Sequence, residues 1–457
     1  MIEITQKSKL IASKCLHDLI VSNQQIPTTP LKVSGIPGDK SISHRVLLVS
    51  AATPNSTKIH NLNQGSAVGL LIPALQTLGV QIDWDGAVTT VSPPINNVWT
   101  TEPVRVNLGP SSAAARLLLG LLAGLGVPAV IDGNETLRSR PMNWVVNPLR
   151  ELGIEIDYLE TPGCLPVAIR GGGLRDGQVK LQVGSAQACS AILFAAFGAR
   201  RKVNILHPVQ SRDHTDRLLR YIGIGIEYIP EGIQISGGVP QALPEYYIPG
   251  DPSAAAFLAA AHVFQQRKTE LILLNICLNP TRIGFFEVLK ECGIRVNYQD
   301  VCEAFGELIG TITIGKVPER LQPFQIDDPF RFHSMIDEIP LVAALATQIP
   351  GQSSIFGAQE LVFKETNRLL SISSMLSAFG GEARVVGDAL HITGGKTLQA
   401  GVIPSFGDHR IAMTAVALAS SLPSYSRILE GECYKVSFPE FPELMHTLGL
   451  NINFSKE

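Results

Sequence analysis

Six times along the chain an apolar run with helical spacing ends at a glycine, and the residues that follow alternate between apolar and polar. The stretches are LQTLGVQIDW (75–84), LRELGIEIDY (149–158), LRYIGIGIEY (219–228), LKECGIRVNY (289–298), LSAFGGEARV (376–385) and MHTLGLNINF (445–454). Each predicts a helix end, a glycine at the left-handed position just past it, and a strand, because the hydrophobic period changes there from 3.6 to 2. The glycines Gly79, Gly153, Gly223, Gly293, Gly380 and Gly449 recur at intervals of roughly 70 residues with one longer gap. Six such units predict two domains of three units each.

Other segments are apolar on every side. SAAARLLLGLLAGLG (112–126) and SAAAFLAAAHVF (253–264) read as buried helices capped by their leading serines, and VRVNL (104–108) and VKLQV (179–183) as strands. Helices buried on all faces put the sheets on the outside. The chain is punctuated at Pro37-Gly38 and again at Pro249-Gly250-Asp251-Pro252, the expected crossings between domains. If both are crossings, the N-terminal arm belongs with the C-terminal half. Residues 1–25 mix charges into their apolar positions, which predicts an extra helix or a loose arm rather than a signal or spanning segment.

Composition narrows the class. The chain has 457 residues, 45% of them hydrophobic and 17% charged, which is too long for one core and apolar enough for two. A net charge of −3 provides no global field for nucleic acid or an anionic membrane, so any anion has to be held locally. The seven cysteines form no CxxC pair and have no histidine at zinc spacing, which predicts buried thiols in a reducing cytoplasm and no metal centre.

Against this background the polar clusters stand out. PGDKSISHR (37–45) places Lys40, His44 and Arg45 with Ser41 and Ser43 behind a Pro-Gly turn. RPM (140–142), SAQ (185–187), RDHT (212–215), PGDPS (249–253), NPTR (279–282), IDE (336–338), KETNR (364–368) and DHRIAM (408–413) follow, most at strand-to-helix turns. A helix N-terminus presents free N–H groups and the positive end of the dipole, so a Ser or Lys placed there builds an anion site. Taken singly, each cluster reads as a capped turn or a surface ion pair. Together, Lys40, Arg45, Arg140, Arg212, Lys364, Arg368 and Arg410 are more cations than one phosphate requires.

In order and spacing these motifs resemble the 5-enolpyruvylshikimate-3-phosphate synthase family, from residue 30 to about 455, with SFPEF (437–441) the last of them. The resemblance implies an α/β protein of two inside-out domains, each of three βαβαββ units. One domain would comprise 26–36 and 250–457 and the other 37–249, with the active site in the cleft between them. It implies transfer of the enolpyruvyl group of phosphoenolpyruvate to the 5-hydroxyl of shikimate 3-phosphate, without metal or organic cofactor, by a cytoplasmic monomer of the shikimate pathway. Lys40, Ser41, Arg45, Ser185, Ala186, Gln187, Arg212, Asp337 and Lys364 would hold shikimate 3-phosphate. Lys40, Arg140, Gln187, Arg368 and Arg410 would hold phosphoenolpyruvate, and Lys40, Asp337 and Glu365 would move the protons. The related UDP-N-acetylglucosamine enolpyruvyl transferases open with a different Lys-Asn motif and carry a reactive loop cysteine, neither of which occurs here.

The chain departs from the family pattern on the donor side. Pro110-Ser111-Ser112-Ala113 stands where the family has Asn-Ala-Gly-Thr or a close variant before Arg116. Ser66-Ala67 replaces an acidic pair, and Asn367 replaces an Asp. These changes predict weakened phosphoenolpyruvate binding and insensitivity to glyphosate. Three readings stay open: a drifted synthase, a paralogue acting on another phosphorylated cyclic acid by enolpyruvyl transfer or elimination, and a non-catalytic ligand-binding descendant. Retention of Lys40, Asp337, Lys364 and Glu365 argues against the last, since a binder has no need of proton-transfer groups.

Overall fold

The computed structural model describes residues 17–23, 28–84, 87–182, 184–207 and 211–455. Six four-stranded sheets carry the six repeats. In one of them Val104–Asn107 runs parallel to Ala129–Asp132 across the helix Ser112–Leu125, and the helix Asn143–Glu151 leads on to the antiparallel pair Ile154–Tyr158 and Val167–Gly172. This is the expected βαβαββ unit. All six repeat glycines have φ between +80° and +100°, a region closed to most side chains, which is why glycine ends each of these helices.

The helices form the interior, as the apolar runs predict. All thirteen residues of Pro252–Phe264 are buried. Ser112–Leu125 packs so closely on Ala186–Ala199 that a Cβ at Gly120 or Gly124 would lie 2.0 or 2.1 Å from the carbonyl oxygens of Ala191 and Ala195. The strands alternate: in Ile154–Tyr158 the two isoleucines point to the core while Glu155 and Asp157 face solvent. The serine caps expected at 112 and 253 are not found. Ser111 precedes the first helix without a side-chain capping bond, and at the second the carboxylate of Asp251 accepts from Ser253 N. The strand read at 179–183 is Gly177–Lys180. Cys277, Cys292 and Cys433 are buried as expected; Cys164 and Cys189 are only partly covered, Cys302 is exposed because its strand faces outward, and Cys15 lies outside the described residues.

Two separate hydrophobic cores organise the molecule. One gathers apolar residues between Ile42 and Ile248, with Cys277; the other gathers Leu19 to Ile36 and Ala254 to Leu450. The chain passes between them twice, side by side: Asp39 N donates to Pro249 O and Asp251 N to Pro37 O, each at 2.8 Å. Asp39 and Asp251 cap the helices that begin at the two crossings, and the buried Arg282 donates to both, at 2.5 and 2.9 Å. The N-terminal residues that are described form a strand rather than a helix or loose arm. Leu19–Asn23 inserts between Ser426–Leu429 and Leu450–Phe454 and completes the sixth sheet, because its alternating Leu19 and Val21 supply the missing apolar face. Residues 1–16 and 24–25 of the expected arm lie outside the described residues.

Candidate active site

A cleft opens between the two cores, and several helices begin at it. Lys40–Ala52, Ser112–Leu125 and Ala186–Ala199 start at its wall on one side, with His409–Ala419 and Arg368–Ala378 on the other. Lys40, Ser41, Arg45, Arg140, Ser185, Ala186, Gln187, Arg212, Asp337, Lys364 and Glu365 all line it. Arg368 and Arg410 stand directly behind, bonded to its acids. Segments more than 300 residues apart in sequence thus converge on one space.

Two carboxylates are clasped among the cations. Asp337 meets Arg212 at 2.7 Å, Arg368 at 3.4 Å and Arg410 at 3.7 Å. Glu365 meets Arg368 at 2.5 Å and Arg140 at 3.5 Å. Burial alone would raise both carboxyls, but these surrounding cations hold each well below the usual range. Asp408 fixes Arg368 from behind, accepting from its Nε at 2.8 Å. Glu338, next to Asp337, is pushed up by burial, with Arg410 as its ion-pair partner at 3.5 Å. Burial, followed by repulsion from Arg410, brings Lys40 down to about 8 against the pull of Asp337, Glu365 and Asp251.

The cationic side chains differ in what they can offer a ligand. Nε of Arg116, Arg140, Arg212 and Arg410 is buried with no hydrogen-bond acceptor among the described residues, an arrangement that costs free energy unless an anion supplies it. Arg45 is committed to protein at each of its nitrogens: Thr215 Oγ1 at 2.7 Å, Ser190 Oγ at 2.8 Å and Ser41 O at 2.9 Å. It lines the cleft as a fixed charge rather than an open fork. Ser185 caps its own helix by accepting from Ala188 N at 3.3 Å.

Arg116, only a landmark in the motif pattern, proves to be part of the site. It donates to Gln187 Oε1 at 2.5 Å and Pro141 O at 2.8 Å, and burial with repulsion from Arg140 lowers it to about 9. Its place one turn into a wholly apolar helix was the available signal. Other lining residues were not picked out as site residues, His44, Trp144, Phe363, His409 and Val436 among them. Apolar and aromatic residues at a ligand wall resemble core residues in sequence.

The segments that depart from the family pattern meet at His44. Its Nδ1 lies 2.7 Å from Lys40 O, and Nε2 lies 3.1 Å from Ala67 O and 3.3 Å from Ser111 Oγ. Burial holds the ring neutral, down to about 4, so only one nitrogen carries a proton. The shorter contact assigns it to Nδ1, which leaves Nε2 to accept from the Ser111 hydroxyl. With that tautomer the ring ties the Lys40 turn to the Pro110–Ala113 loop, while Ala67 O lies against Nε2 without a hydrogen bond from it. Asn367 caps its helix by accepting from Leu370 N at 3.4 Å, a role Asn performs as well as Asp.

The family model of EPSP synthase (3-phosphoshikimate 1-carboxyvinyltransferase) matches residues 29–445. The 3-phosphoshikimate 1-carboxyvinyltransferase of Alkaliphilus oremlandii is 35% identical over 428 residues, 94% of this chain and 99% of that protein. That of Geobacillus thermodenitrificans is 37% identical over 425 residues, 91% and 97% of the two chains. Among solved structures, EPSP synthase from Acinetobacter baumannii superposes with a TM-score of 0.83 at 28% identity, covering 96% of this chain and all of that one. The enolpyruvyl transferase NikO from Streptomyces tendae shares the fold, with a TM-score of 0.75 at 17% identity over 97% of this chain and 100% of its own. The chain belongs to the EPSP synthase (3-phosphoshikimate 1-carboxyvinyltransferase) family.

Proposed function

We propose that this chain transfers the enolpyruvyl group of phosphoenolpyruvate to the 5-hydroxyl of shikimate 3-phosphate and releases phosphate. The observation that carries the reading is the set of buried guanidinium groups with unpartnered Nε donors, from both cores, around two carboxylates. Two phosphates and two carboxylates on a pair of substrates suit such a surplus, and a planar guanidinium suits each bidentately.

Asp337 takes the proton of the attacking hydroxyl as oxygen bonds to C2 of phosphoenolpyruvate, while Glu365 or Lys40 delivers a proton to the methylene carbon. The tetrahedral adduct collapses when a methyl proton is returned and the C2–O bond to phosphate breaks. Lys40, Ser41, Arg45, Ser185, Ala186, Gln187, Arg212 and Lys364 position the acceptor; Lys40, Arg140, Gln187, Arg368 and Arg410 position the donor. Arg116 belongs with the donor group because it shares Gln187. The two cores act as domains, 26–36 with 250–457 and 37–249, that close about the paired crossings and expel water. Among the described residues no helix is long and apolar enough to cross a membrane.

A phosphate-release assay with shikimate 3-phosphate and phosphoenolpyruvate, with the product mass measured, tests the assignment. The substituted donor loop favours a second reading, a paralogue acting on another phosphorylated cyclic acid. Binding of shikimate 3-phosphate with no release from phosphoenolpyruvate at any concentration would select it.

A further inference from the structure

Among the described residues, three side-chain contacts between lining residues reach across the cleft: Arg212 to Asp337, Arg140 to Glu365, and Trp144 to Phe363. The first two are ionic, and on the proposed function the substrates' anions compete for both arginines. The third needs no charge from either side. The Trp144 and Phe363 rings meet edge to face, with centroids 5.7 Å apart and planes at 89°, the favoured geometry for an aromatic pair.

We propose that Trp144 and Phe363 form a latch that holds the two halves together and sets the spacing of the donor side. Trp144 follows Arg140-Pro141-Met142 and opens the helix Asn143–Glu151; Phe363 ends the short turn Ala358–Phe363 and immediately precedes Lys364 and Glu365. The contact therefore fixes the backbone beside Arg140 against the backbone beside Glu365. Trp144 is itself braced from behind. The Arg116 guanidinium lies 6.0 Å from its ring centre and donates to Pro141 O, just ahead of it in the chain. Phe363 remains 44% exposed even with this partner, so it contributes little to a core. Both rings line the cleft, which makes them positioning residues at its wall.

The test combines Phe363→Ala, Trp144→Ala and the double variant with the conservative pair Phe363→Leu and Trp144→Phe. Without any ligand, small-angle scattering should show a larger radius for both alanine variants than for the parent chain, with the conservative variants between. Hydrogen exchange across 363–368 should be faster in both. In turnover with shikimate 3-phosphate saturating, each alanine variant should raise the KM for phosphoenolpyruvate about two- to twelvefold, as expected for one aromatic pair, with kcat nearly unchanged. The double variant should lose no more than the worse single, because one contact is lost either way. Unchanged radius and exchange in Phe363→Ala, whose exposed ring is the safer to remove, would overturn the latch, as would additive losses or a fall in kcat alone. The kinetic arm rests on the proposed function, whereas the ligand-free arm does not: a parent chain that never releases phosphate rejects that function and leaves the scattering and exchange to decide the latch.

Discussion

Raising the pH isolates Lys40. Its ammonium sits at the start of the helix Lys40–Ala52, where burial and Arg410 depress it to about 8 in the free protein. If it holds substrate anions, kcat/KM for phosphoenolpyruvate should follow its protonated fraction, since that ratio reports ionisations of the free enzyme. With a pKa of about 8 that fraction falls from about 0.9 at pH 7 to about 0.1 at pH 9, a loss of roughly tenfold, whereas an ordinary lysine near 10.4 would lose only a few per cent. Arg116, lowered to about 9, is another group placed to contribute in this range. Lys40→Arg separates them: whatever its absolute rate, the variant should lose the limb near pH 8 and retain any limb near 9. The sign for stability is opposite. Because folding lowers this lysine's pKa, the penalty of burying its charge is fully present below pH 8 and is relieved as the pH rises towards the unfolded value. The assay is phosphate release across pH 6 to 10 at limiting donor. A flat profile through pH 9 in the parent chain, or an identical limb in Lys40→Arg, would refute the assignment.

Asp337→Asn and Glu365→Gln should each lower turnover by about two to four decades with much smaller changes in acceptor affinity by calorimetry, and near-normal rates would remove both from proton transfer. The parent chain should show weak glyphosate inhibition and a raised KM for phosphoenolpyruvate. Restoring Pro110→Asn, Ser111→Ala, Ser112→Gly and Ala113→Thr with Ala67→Asp should improve both, and a restored protein that binds shikimate 3-phosphate but still ignores phosphoenolpyruvate would favour the paralogue. Arg282→Met leaves Asp39 and Asp251 buried without their cation and should lower unfolding stability in urea by about 3 to 5 kcal/mol; a loss under 1 kcal/mol would show that the crossings do not depend on it.

How far the sequence could be read depended on the kind of signal. The repeats were legible because a Gly at positive φ followed by a change of period is a local event, and all six helices end there. The arm was not: Leu19–Asn23 is a strand only because Ser426–Leu429 and Leu450–Phe454, some 400 residues on, present it with two free edges. The cleft's charged residues announced themselves through motif order. Arg116 and His44 did not, since an arginine in an apolar helix and a histidine behind a lysine acquire meaning only when Gln187 and Ser111 arrive from other segments. Trp144 and Phe363 were the least visible, because an aromatic residue facing a cleft and one facing a core have the same neighbours in sequence.

The same charges that gather substrates also restrain the acids meant to act on them. In the substrate-free arrangement Asp337 is bonded to Arg212 and flanked by Arg368, Arg410 and Lys364, which hold it far too acidic to attract a hydroxyl proton. A general base works best with a pKa near the working pH. On the proposed assignment, the acceptor's phosphate draws on Arg212 and Lys364, and the donor's anions draw on Arg368 and Arg410. Each cation turned towards a substrate oxygen has its field at Asp337 partly cancelled, so the carboxylate regains basicity, while the burial that favours its neutral form remains. Glu365 undergoes the same change as Arg140 and Arg368 turn to the donor. The ion pairs of the free protein thus serve two ends: they keep buried guanidinium groups neutralised until anions arrive, and they keep both acids from accepting protons before both substrates are in place.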